Sequence, residues 1–144
     1  MAGAGKPREH DIDLYNRISG IMDDDALTFL QQHDFNMDFQ QSRTEPMRKI
    51  ANWHGARYEF LDAGLQKKWK LVREQIDGLA GQYVAKLVPR STGQGMLTAH
   101  LLGYERHNQP AHAVAEVQEL NRTATKLYED YNQFDRYARR RLGL

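Results

Sequence analysis

The sequence predicts an all-α protein, and three observations carry that expectation. Two long stretches repeat apolar residues every three or four positions, each stretch opens on a cap residue with proline close behind, and no second alternating run stands out to pair as a strand. The expected architecture is an elongated antiparallel hairpin of long helices at about 45–88 and 109–141, preceded by short N-terminal helices. A compact bundle with a break near Gly64 is the alternative. With 144 residues, 40% of them hydrophobic, the chain is sized for one domain with a modest core. That domain divides into an acidic N-terminal arm (1–43), a long helix (44–88), a connection (89–108) and a C-terminal helix (109–144).

In the arm, Ile12, Tyr15, Ile18 and Met22 recur at helical spacing and predict a short helix over about 10–19, ending near Gly20. Asp23, Asp24 and Asp25 then cap a second helix whose apolar face is Ala26, Leu27 and Leu30. As a divalent-cation site the triplet is incomplete, because consecutive helical residues point in different directions. Phe35 to Phe39 alternates apolar and polar. With no evident partner strand it reads as an extended linker, and secondarily as a strand that augments a partner's sheet.

The first long helix opens at Thr44-Glu45-Pro46. Its stripe runs through Met47, Ile50, His54, Tyr58, Leu61, Leu65, Trp69, Val72, Ile76, Leu79, Tyr83 and Leu87, and should stop before Pro89. Unbroken, roughly 43 residues at 1.5 Å each span about 65 Å, longer than the 40 Å or so of a compact globule of this size. Gly55, Gly64, Gly78 and Gly81 threaten continuity, although Gly78 and Gly81 can instead admit a second helix closely. After Pro89 the Arg90–Gly95 stretch reads as a turn, Met96–Leu102 as a short helix, and Asn108 with Pro110 as the start of the last helix. That helix carries the stripe Val117, Leu120, Ala124, Leu127, Tyr131, Phe134 and Ala138, which has coiled-coil spacing and is widened by Tyr128 and Tyr137.

Several function classes are set aside by residue content. There are no cysteines, so disulfides, thiolate metal sites and cysteine nucleophiles are excluded. No apolar run approaches the ~20 residues of a membrane span, and no secretory h-region is present at the start, so a cytoplasmic setting without membrane attachment is expected. No nucleophile elbow or phosphate-cradling glycine loop stands out, and neither a catalytic residue nor a cofactor is expected. His100, His107 and His112 lie close in sequence, and His112 with Glu116 shares a helix face, but the spacing does not complete a metal motif. His54, on the stripe, is expected to be a hydrogen-bonded core or interface histidine.

What remains points to recognition. The net charge of +1 conceals a balance of −5 over residues 1–45 and +5 over 46–90, so the arm can fold onto the basic helix, pair with another copy or meet a partner. Lys67, Lys68, Lys70 and Arg73 crowd one helix, and Arg136, Arg139, Arg140 and Arg141 crowd the end of another. Trp53, Phe60, Trp69 and Tyr104 are the candidate partner-binding anchors, with burial in the core as the competing use. The expected function is non-catalytic: a protein–protein interaction or assembly subunit, bound to a protein partner or to its own copies. A nucleic-acid-binding accessory protein using the basic clusters is the alternative, and a metal-dependent enzyme the third reading.

Overall fold

The computed structural model describes residues 5–90 and 95–144, with side chains from Arg8 onward. Most of the Arg90–Gly95 turn therefore lies outside the described residues. The chain is helical in class, with five α-helices and one small sheet among the described residues. Helix α1 (Gly5–Ile21) buries Leu14, Tyr15 and Ile18, with Met22 following, and runs through Gly20 instead of stopping there. Helix α2 (Asp24–Gln32) is capped as its sequence predicts: Asp23 accepts a bond from the Ala26 amide at 2.9 Å, and Ala26 and Leu30 are buried.

The predicted 44–88 helix is two helices. Helix α3 (Glu45–Ala51) ends after seven residues, and α4 (Ala63–Lys86) begins only at Ala63. The break occupies residues 52–62 and not Gly64. It contains Gly55 in the left-handed region (φ 99°) and a 3₁₀ turn at Ala56–Tyr58. Side chains distant in sequence hold this segment open. Arg73 Nη2 donates to the carbonyls of Ala51 and Trp53, the buried Asp11 accepts from the amides of Leu61 and Asp62, and Gln66 accepts from the Phe60 amide. Asp62 then caps α4 by accepting from the Leu65 amide at 3.0 Å. The stripe misleads because eleven residues are close to three turns at 3.6 residues each, so the pattern re-enters in phase. Its members inside the break are the ones that fail: His54 is exposed, Tyr58 is half-buried and Leu61 is 58% exposed, whereas Phe60 off the stripe is buried.

The second correction concerns the connection. Met96–Thr98 is a strand, β3, and not the start of a helix. It pairs antiparallel with both β1 (Phe39–Gln40) and β2 (Val88–Pro89), in the order β1-β3-β2 and in the registers Phe39↔Leu97 and Val88↔Thr98. The alternating 35–39 segment therefore finds its partner within this chain. Pro89 is accommodated because β2 is an edge strand.

Helix α5 (Ala111–Leu142) is 32 residues, about 48 Å at 1.5 Å per residue. Pro110 takes its N-cap position, and Asn108 belongs to the preceding 3₁₀ turn (Arg106–Asn108), so the predicted Asn108 cap is displaced. Every member of its stripe is buried. α4 lies antiparallel to it: Asp62 meets Arg141, Gln75 meets Asp130 and Gln82 meets Thr123. α1 is also antiparallel to α5, fixed where Tyr15 donates to Asp135 and Arg139 donates to Tyr15. One core runs through all of these elements, with Trp69, Phe134 and Phe60 in mutual ring contact at its centre. Most of the apolar width of α4, which a two-helix hairpin leaves bare, is covered by α3 and α5, while Leu71 and Val84 stay exposed.

Candidate functional site

The four aromatic anchors separate by environment. Trp69 and Phe60 are core residues, 1% and 4% exposed, and offer no ring to a partner. Trp53 is half-buried and stacked on Tyr58 at 4.6 Å, bracing the 52–62 break. Tyr104 alone is open, at 56% exposure.

The two basic clusters lie at the same end of the molecule. Because α4 and α5 are antiparallel, the start of one lies against the end of the other, and Lys68 Nζ sits 4.9 Å above the Tyr137 ring. Three of the eight cations are engaged in the fold: Arg73 with Asp77, Arg139 with Asp135 and Arg141 with Asp62. Lys67, Lys68, Lys70, Arg136 and Arg140 are exposed and make no ion pair among the described residues. The acidic arm does not cover them. Its one cross-segment pairing among the described residues is through Asp38, whose Oδ2 lies 2.8 Å from Arg90 and 3.5 Å from Arg106.

The three clustered histidines do not converge. His107 pairs with Glu105 on the surface, His112 is exposed on α5, and His100 is buried, 4% exposed, with Nε2 donating to Asn36 Oδ1 at 2.8 Å. Among the described residues no three His, Asp or Glu side chains are placed to share a metal ion. His54 lies exposed in the 52–62 segment, away from the core that the stripe assigned to it.

His100 instead belongs to a polar pocket of about 310 Å³ at the sheet end of the molecule, assembled from the loop after α2, the second residue after β3, the 3₁₀ turn and the first turns of α5. Asn121 organises one side, accepting from the Phe35 amide and donating to Asp34 Oδ1. Gln109 organises the other: its carboxamide accepts from the Leu101 amide and donates to the carbonyls of Leu101, Tyr104 and Glu105. The Asn36 amide and the Asn121 side chain, both donating to Asp34, hold its carboxyl below the usual range. Burial, reinforced by Arg106, pushes the His100 imidazole down and keeps it neutral.

Around this pocket the surface turns apolar. Ten large hydrophobic residues are exposed among the described residues, and six of them, Met37, Val88, Leu101, Leu102, Tyr104 and Val114, belong to the sheet, its adjoining loops or the start of α5. Of this site, sequence reasoning nominated Tyr104 and His100 only, and His100 as a possible metal ligand. Asp34, Arg106, Gln109 and Asn121 carried no motif, because three separate segments contribute them.

Comparison of the chain with protein families, curated proteins and solved structures finds no match.

Proposed function

We propose that the chain is a non-catalytic interaction protein that docks a protein partner through its sheet end. The observation that supports this reading is the concentration there of six of the ten large hydrophobic side chains exposed among the described residues, the other four, Leu61, Leu71, Val84 and Leu144, being scattered along the chain. The rim combines an exposed tyrosine with polar groups already held in place by Gln109 and Asn121, the composition of a surface that loses little entropy on binding. A different protein is the occupant this reading commits to, since most of the helical stripe that argued for self-association is buried within the chain. Capture from the native source, comparing wild type with a Leu102→Asp/Tyr104→Ser variant and including nuclease, tests the reading. A protein retained by wild type after nuclease and lost from the variant supports it. Equal recovery on both, or no protein enriched by either, overturns it.

A second reading has its own observation. Five exposed cations that make no ion pair among the described residues lie near the start of α4 and the end of α5, which suits a polyanion such as nucleic acid. The helix macrodipole accounts for cations at the end of α5 but not for Lys67, Lys68 and Lys70 near the start of α4. Salt-sensitive binding of DNA or RNA that disappears on neutralising those three lysines would place this reading first.

A further inference from the structure

The pocket beneath the sheet end has two open valences of opposite sign. Asp34 uses Oδ1 for both of its bonds, to the Asn36 amide and to Asn121 Nδ2, each at 2.9 Å, and its Oδ2 accepts from no described residue. Across the pocket Arg106 is the weaker of two cations at Asp38: Arg90 holds the same oxygen at 2.8 Å and Arg106 stands at 3.5 Å. The Arg106 guanidinium is thus left with donors to spare. His100 is neutral between them and adds no charge of its own. The remaining wall is aliphatic, formed by Ala113, Val114 and Val117 on one face of α5.

We propose that this pocket binds a small zwitterion, a molecule with one ammonium and one carboxylate on a short aliphatic frame. The ammonium bonds Asp34 Oδ2, the carboxylate bonds Arg106, and the frame lies on the Val114 and Val117 methyls. Charge selects this class. A lone anion entering the pocket meets the Asp34 carboxylate and a lone cation meets Arg106, whereas a zwitterion pairs with both. Size agrees, since about 310 Å³ is the liquid volume of about ten waters and falls at the small end of ligand sites. The walls are also set beforehand, because Gln109 ties down the 101–105 loop and Asn121 fixes the start of the 34–36 loop. The inference goes beyond the docking of a protein partner and does not need one.

Titration of the purified chain with free aliphatic amino acids, L-leucine and γ-aminobutyrate as probes, followed by NMR, tests it. At least one probe is expected to move the Asn36, His100 and Val117 signals with millimolar or tighter affinity. N-acetylating or amidating that probe should weaken binding tenfold or more. Asp34→Asn keeps an acceptor oxygen for the Asn36 amide while removing the charge, and Arg106→Gln changes a solvent-facing side chain. Each should weaken binding at least tenfold with an unchanged circular dichroism spectrum. No pocket shift with either probe at about 10 mM, well above a millimolar Kd, or equal binding by the capped analogues, overturns the assignment. This outcome is independent of whether a protein partner is found at the rim.

Discussion

At the scale of single residues, the glycines of α4 divide by what surrounds them. A Cβ at Gly64 would strike the Tyr137 hydroxyl, on a ring half-buried under Lys68, whereas one at Gly78 or Gly81 meets nothing within 4 Å. Ala is favoured over Gly in a helix by about 1 kcal/mol, and forcing a packed ring aside costs about 1–3 kcal/mol. Gly64→Ala is therefore expected to destabilise by about 1 kcal/mol, and Gly78→Ala and Gly81→Ala to stabilise by about 0.5–1 kcal/mol each, with urea midpoints as the measure. Two histidines set the acid limit. His33 Nε2, buried among Phe29, Phe35 and Phe39, has no hydrogen-bond partner among the described residues, and burial lowers its pKa as it does that of His100. Protons then bind the unfolded chain first, so stability is complete above the ordinary histidine value and declines as pH falls through about 6.5. Urea midpoints should drop between about pH 7.5 and 5.5, and His33→Phe should reduce that drop.

At the scale of elements, what could be read from the sequence depended on how local the cause was. The Asp23 cap, the proline at the start of α3 and the stripe of α5 act within one or two turns, and each appears in the structure where the sequence puts it. The 52–62 break has causes elsewhere, in Asp11, Arg73 and Gln66, and the in-phase stripe concealed it. The strands are two or three residues long, with Phe39 pairing to Leu97, too short and too far apart for alternation to reveal. Asp11 is the test of this explanation. Asp11→Ala leaves the Leu61 and Asp62 amides without an acceptor, each worth about 1–3 kcal/mol, and is expected to cost about 3 kcal/mol by chemical denaturation. Asp11→Asn should cost less, since one acceptor oxygen remains.

At the scale of the whole molecule, each basic cluster could be read because it is contiguous in sequence, and the antiparallel packing of α4 and α5 puts both at one end. The sheet-end pocket could not, because the Asp34, His100, Arg106 and Asn121 side chains become neighbours only once α2, the sheet and α5 are assembled. The in-phase break has a consequence at this scale. As a loop, residues 52–62 leave their stripe members out of the core, whereas as helix they would continue the stripe and join α3 and α4 into one rod from Glu45 to Lys86, about 63 Å long. In that rod α1–α3 move away from their own α4 and α5 and can dock on those of a second chain, which returns its own N-terminal half. The latch against this exchange is Gly55, whose left-handed backbone costs other residues about 1–2 kcal/mol. Gly55→Ala, refolded at high concentration, is expected to yield a domain-swapped dimer on size exclusion that wild type does not form, whereas a less stable monomer alone would show that the loop is held by its side-chain bonds and not by its glycine.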